Sequence, residues 1–165
     1  MAEKLSAEKY EIEVIFDVAK AMAGADPFSY KGDVKGTGKD FRLKIDQNLA
    51  WIDFNLTVVN GFGSELVGFT TNVFQWLSPE KKPIPTPFHS FNAQRHGDDL
   101  ATLINTNRVA VKGDEVYFNF EIGVVLQGKT FTSPDPTIIN VDPTGGGGNV
   151  AVDEGVREEE LSAVS

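Results

Sequence analysis

Val116-Tyr117-Phe118-Asn119-Phe120-Glu121-Ile122-Gly123-Val124-Val125-Leu126 places Val116, Phe118, Phe120, Ile122, Val124 and Leu126 on one apolar face. That two-residue period is the pattern of an extended strand rather than of a helix. Burying these six side chains at about 1.5–3 kcal/mol each yields about 9–18 kcal/mol, while ordering the eleven backbone residues costs about 1–2 kcal/mol apiece. Alone, the strand at best breaks even. It needs a partner on each flank and a second apolar layer over its face, which is the arrangement of a β-sandwich.

Working outward, Val109-Ala110-Val111 enters the strand through the turn Lys112-Gly113-Asp114-Glu115, and Gln127-Gly128-Lys129 reverses the chain so that Thr130-Phe131-Thr132 pairs back. Two Asp-Pro pairs follow in Ser133-Pro134-Asp135-Pro136-Thr137-Ile138-Ile139-Asn140-Val141-Asp142-Pro143-Thr144. Each proline fixes its own φ and pushes the residue before it into the extended region, so Ile138–Val141 reads as one brief strand forming the final edge of the sheet. Four glycines, Gly145 to Gly148, have nothing to bury, and an acidic tail carrying Asp153, Glu154, Glu158, Glu159 and Glu160 lies beyond them. The expected organisation is a single β-sandwich domain over 1–144, then a disordered glycine-rich linker and acidic tail over 145–165.

Upstream, Ile12, Val14, Phe16 and Val18 alternate with Glu11, Glu13 and Asp17, giving a strand over Tyr10–Val18 with a helical turn over Ala19–Ala25. Asp26-Pro27 opens a loop that runs to Lys39; Phe41, Leu43 and Ile45 then mark a second strand, and Leu49–Val59 a third. Asn60-Gly61-Phe62-Gly63 reads as a tight turn and Leu66–Leu77 as the next strand. Pro79, Pro83, Pro85 and Pro87 make a semi-rigid surface connection. Periodicity fails from Phe88 to Arg108, where Asp98–Ile104 is the one stretch suited to a short helix, with acidic residues at its start. About eight short strands without a βαβ rhythm give an all-β, antiparallel, immunoglobulin-like β-sandwich with at most one or two short helices.

The chain has 165 residues, 41% of them hydrophobic, enough for one core. Its aromatics are 12 Phe against 3 Tyr and 2 Trp, a balance that favours burial over display. The absence of cysteine rules out disulfides, thiolate zinc sites and a thiol nucleophile. A net charge of -9 opposes phosphate backbones and anionic lipid, so neither nucleic acid nor membrane is expected as a partner. Met1–Lys9 lacks an apolar signal core and no run is long enough to span a bilayer, so the expected location is cytoplasmic. Asn55-Leu56-Thr57 matches a glycosylation triplet but falls in a strand and is read as structural.

Both histidines lie in His89-Ser90-Phe91-Asn92-Ala93-Gln94-Arg95-His96-Gly97-Asp98-Asp99, where His89, His96, Asp98 and Asp99 are of the types that bind zinc or iron, although the spacing matches no ligand pattern. Ser90 lies near histidine without the turn that presents a nucleophile. Glu11, Glu13, Asp53 and Glu121 are carboxylates of the kind glycosidases pair, here in strands where they read as the solvated face. Asp114, Asp135 and Asp142 at the sheet rim are candidate calcium ligands more simply explained as turn residues. Gly36-Thr37-Gly38-Lys39 is too short for a phosphate loop. No catalytic, cofactor-binding or metal-binding residue is assigned.

Ser133-Pro134-Asp135-Pro136-Thr137-Ile138-Ile139-Asn140 resembles the DP-EP family, small bacterial proteins of uncharacterised function; the second pair here is Asp142-Pro143 rather than Glu-Pro. The resemblance implies a β-sandwich and carries no catalytic residues. The leading expectation is a non-catalytic interaction or self-association module, possessing free strand edges and with Trp51 and Trp76 set off the main apolar rows. The competing reading is a small-ligand binder or hydrolase, metal-assisted or not, with a rim site in residues 79–99.

Overall fold

The structure, a computed structural model, describes residues 7–33, 41–47, 49–63, 65–87, 90–108, 115–133 and 136–141. Within these residues ten strands and one short helix follow in the order β1 (Ala7–Asp17), α1 (Val18–Met22), β2 (Phe28–Gly32), β3 (Arg42–Ile45), β4 (Leu49–Val59), β5 (Val67–Leu77), β6 (Phe91–Arg95), β7 (Leu100–Asn105), β8 (Glu115–Leu126), β9 (Lys129–Ser133) and β10 (Thr137–Val141). One sheet runs β2-β1-β4-β7-β6 and the other β3-β10-β8-β5, with β9 also on β8. Among the described residues no helix is long and apolar enough to cross a membrane.

β8 sits where its composition demands. It pairs with β5 on one flank and with β9 and β10 on the other, and Phe120, Ile122, Val124 and Leu126 are buried while Val116 and Phe118 are partly so. Rings from the two sheets interlock over this face: Phe54 of β4 meets Phe74 and Phe120 at 4.9 and 6.4 Å, and Phe16 of β1 meets Phe131 of β9 at 5.6 Å. Edge-on packing of this kind adds to the area buried. The excess of phenylalanine is therefore largely core.

Several expectations are corrected. The sheets are mixed, not antiparallel: β1 lies parallel to β4 and β3 parallel to β10. A parallel pair needs a long crossover, and the chain supplies one by laying down β2 and β3 before it returns as β4. Among the described residues there are ten strands against about eight expected: β2 and β6 arise where loops were read, β7 replaces the expected helix at Asp98–Ile104, and the expected strand at Val109–Val111 lies outside the described residues. Ala101, Thr102 and Leu103 are all buried, so β7 is covered on both faces and shows no alternation to read. Asn60 does adopt the positive φ of 57°, but Asn60–Gly63 passes from one sheet to the other instead of closing a hairpin.

β10 is not a final edge either; it lies between β3 and β8. Ser133 stands opposite Ile122 and Thr137 opposite Asn119, so β9 and β10 follow one another along one flank of β8. Asn140 of β10 and Asn105 of β7, both fully buried, then exchange amide hydrogen bonds of 2.6 and 3.1 Å from sheet to sheet. Asn107 continues the link by donating to the carbonyls of Gln47 and Val141, each at 2.8 Å.

Candidate functional site

Where β5 and β6 border their respective sheets, a cleft of about 580 Å³ opens between them. Trp76 of β5 and Phe91 of β6, 4.4 Å apart between ring centroids, form its floor. Ile84, Pro85 and Thr86 close one end, and Asn72, Ala93 and Arg95 line the walls. Sequence parity alone puts Trp76 off its strand's apolar row, yet it is buried. Between Phe69, opposite Val124, and Phe74, opposite Ile122, four residues of β5 face Gly123 alone. That odd offset flips the phase of the strand and turns Phe74 and Trp76 inward. Gly123 makes room for the bulge, since a Cβ there would lie 2.6 Å from Thr70 Oγ1.

The two walls differ in what covers their backbones. On β5, Phe69 N–H donates to Asp98 O at 2.7 Å, Arg95 Nη2 donates to Phe69 O at 3.2 Å, and Ile84 N–H donates to Trp76 O at 2.9 Å. Gln75 Nε2 also reaches Ile84 O at 3.1 Å, pinning the proline-rich connection along the strand. On β6, Ser90 O and His96 N–H bond β7's side through Thr106 N–H and Leu100 O, at 2.8 and 2.9 Å. Alternation along an antiparallel pair then directs the N–H and C=O of Phe91, Ala93 and Arg95 away from β7. Phe91 N–H is taken by Pro87 O at 3.0 Å. Among the described residues no backbone group pairs with those of Ala93.

Of the proposed metal ligands, His96, Asp98 and Asp99 lie among the described residues. His89 lies outside the described residues, as do Asp114, Asp135, Asp142, the Gly36–Lys39 stretch, the Val109–Val111 strand and the tail over 145–165. His96 turns to the outer face of its sheet, where Thr102 Oγ1 donates to Asp53 Oδ1 at 2.6 Å and so accepts from His96 Nε2–H at 2.9 Å. The hydroxyl proton is committed to the carboxylate, so the imidazole cannot take it: the order is the reverse of a hydrolytic triad. Asp98 and Asp99 do not cap a helix. Their carbonyls accept from Phe69 and Leu56, and the Asp98 carboxylate takes Arg95 Nη2 at 2.8 Å.

Glu11 and Asp53 are neighbours across β1 and β4, both beside Lys9 Nζ at 3.9 and 3.5 Å, whereas Glu121 is on β8 in the other sheet. Ser90 is buried, its hydroxyl directed to Arg108 O. Among the described residues no three His, Asp or Glu side chains form a group able to hold a metal. Among the described residues of the sequence-read rim, Ile84–Thr86 and Phe91–Arg95 reach the cleft. Its other wall, Thr71–Trp76, was not anticipated. The signal available was Gly123, a glycine inside the strongest strand.

Compared with protein-family models the chain matches none, and no curated protein matches it. Among solved structures it is similar to the inclusion body protein PixA from Burkholderia cenocepacia, at 11% identity over 84% of this chain and 96% of that one, with a TM-score of 0.39. A likeness so distant carries no argument about activity.

Proposed function

We propose that the chain is a non-catalytic interaction module that associates with a second copy of itself through the free edge of β6. The observation that carries this reading is the contrast between β6 and every other edge. β3 is four residues long with exposed Arg42 and Lys44, β2 carries exposed Lys31, β9 carries exposed Lys129, and β5 is bulged and covered. Such cations, bulges and covers are what proteins use to prevent strand pairing. β6, Phe91-Asn92-Ala93-Gln94-Arg95, has no Lys, Pro or acid, and its single cation is already held by Phe69 O and Asp98.

An antiparallel two-fold contact centred on Ala93 sets Ala93 against Ala93, Asn92 against Gln94 and Phe91 against Arg95. The amide pair shares the outer face as a favourable cross-strand pair, while Phe91 and Arg95 keep their own partners, Trp76 and Phe69 O. Phe91 opposite Arg95 is a hydrogen-bonded pair in this register, but Phe91 N–H is already taken by Pro87 O, so each end of the ladder keeps only the bond from Arg95 N–H to Phe91 O of the other copy. One five-residue ladder is a small contact, so the dimer belongs to the weak, transient class. Sedimentation equilibrium should show a concentration-dependent dimer that Ala93→Lys weakens. A wild-type chain that stays monomeric at its solubility limit would overturn the reading.

A further inference from the structure

The two tryptophans of the chain end on opposite sides of their strands. The bulge in β5 turns Trp76 inward, but β4 runs in unbroken register against β1 and β7, so Trp51 keeps the phase of Asp53 and Asn55 and stays on the outer face, 43% exposed. Because β4 is the middle strand of its sheet, this indole stands at the centre of a five-strand surface. Lys9 of β1 lies beside it on one flank and Ile104 of β7 on the other, with Asn92 of β6 next in the row. The adjacent row is Glu11, Asp53, Thr102 and Gln94.

Much of that second row is already fixed. Thr102 Oγ1 donates to Asp53 Oδ1 and accepts from His96 Nε2–H, Asn55 Nδ2 donates to Glu11 Oε1 at 3.2 Å, and Lys9 Nζ reaches both Glu11 and Asp53. Donors and acceptors set beforehand lower the cost of binding. The exposed amides of Asn92 and Gln94 bond no described side chain.

Charge selects the class of occupant. Lys9 serves Glu11 and Asp53, and Glu13 faces Lys31 across β1 and β2, so the acids and bases of this face are matched to one another and favour neither a phosphate nor a basic segment. Trp51 and Ile104 are too small an apolar area for a helix, and the charge of -9 opposes a second copy. What fits is a molecule with one apolar face and a rim of neutral hydroxyls, which describes a sugar ring. We infer that this face binds a neutral carbohydrate chain, one ring stacked by its C–H groups on Trp51 with its hydroxyls bonded to Lys9, Glu11 and Asp53, and the next lying over Ile104 toward Asn92 and Gln94. Strands about 4.8 Å apart make the row from Lys9 to Asn92 about 14 Å long, room for a short oligosaccharide.

The site is independent of the β6 edge, and Ala93→Lys should leave it intact. Affinity electrophoresis in gels containing a soluble glucan, mannan, xylan or galactan should show at least one of them retarding the chain. Oligosaccharides of that polymer should shift tryptophan emission to the blue, a change that Trp51 supplies because Trp76 is already buried. Trp51→Thr, which keeps strand propensity, should weaken the retardation roughly tenfold or more, as loss of a central aromatic anchor does. Glu11→Gln and Lys9→Ala, at exposed positions that leave the fold alone, should each weaken it about threefold. A chain retarded by none of the four polymers, or retarded equally after Trp51→Thr, would overturn the inference. Retardation by heparin that depends on Trp51 would overturn it too, by assigning the face to a polyanion.

Discussion

β5 and β6 face each other across one cleft, yet only β5 is closed along its edge. Its bulge, the Asp98 carbonyl, the Arg95 guanidinium and the returning Ile84 together leave little ladder for another chain to join. The covering of β5 comes largely from the end of β6: Arg95 and Asp98 leave that strand to seal its neighbour, so β6 keeps an open edge. A strand that is one wall of the core thus gains protection at the expense of one that gives the core a single side chain, Phe91.

The comparison can be broken at several levels. Trp76→Ala removes the floor beneath both walls and should cost about 3–5 kcal/mol in chemical denaturation, because Trp76 packs on Phe91, Phe118 and Phe120. A loss below about 1 kcal/mol would mean that the floor does not hold the walls. Arg95→Ala, which strips the guanidinium from Phe69 O, should cost about 1–3 kcal/mol and hasten amide exchange at Phe69 but not at Phe120. Ala93→Lys should change stability by no more than about 0.5 kcal/mol, since it touches only the open edge, and should nevertheless weaken association.

Acid sharpens the same contrast. The Glu65 carboxyl is held below its ordinary value of 4.5, chiefly by Phe62 N–H, and Glu115 is lowered chiefly by its hydrogen bond with Lys44. A depressed carboxyl stabilises fully above the unfolded value and loses that contribution as pH falls through the folded one, so both effects fade below pH 4.5. Lys44, raised above 10.5 by the same partner, loses its share only as pH climbs past that value. Protection of the Phe62 and Gly63 amides, relative to the intrinsic exchange rate at each pH, should therefore fall in acid before that of Phe69, whose amide donates to a backbone carbonyl that does not titrate.

How far the chain could be read depended on burial geometry. β1, β4 and β8 each have one buried and one more open face, so a period of two was visible in Ile12, Val14 and Phe16, in Ile52 and Phe54, and in Phe120, Ile122 and Val124. β7 is covered on both sides and β6 on almost none, so neither alternates and both escaped notice. Asp98 and Asp99 suit the first turn of a helix equally well, and only the backbone of β5 and β4 waiting for their carbonyls decides otherwise. The cleft belongs to the same class, since one wall depends on a bulge that reverses which side of β5 is apolar.

The order of apolar and polar residues was enough by itself to settle that this protein is built from extended strands around a phenylalanine-rich interior, because side chains on a strand alternate whatever the strand pairs with. Which strands became neighbours, that β1 runs parallel to β4, that β10 is interior and that β6 kept a free edge were decided only in the folded structure. Strand pairing is made by backbone groups common to every residue, and those groups carry no record of their partner until packing of the side chains selects one register.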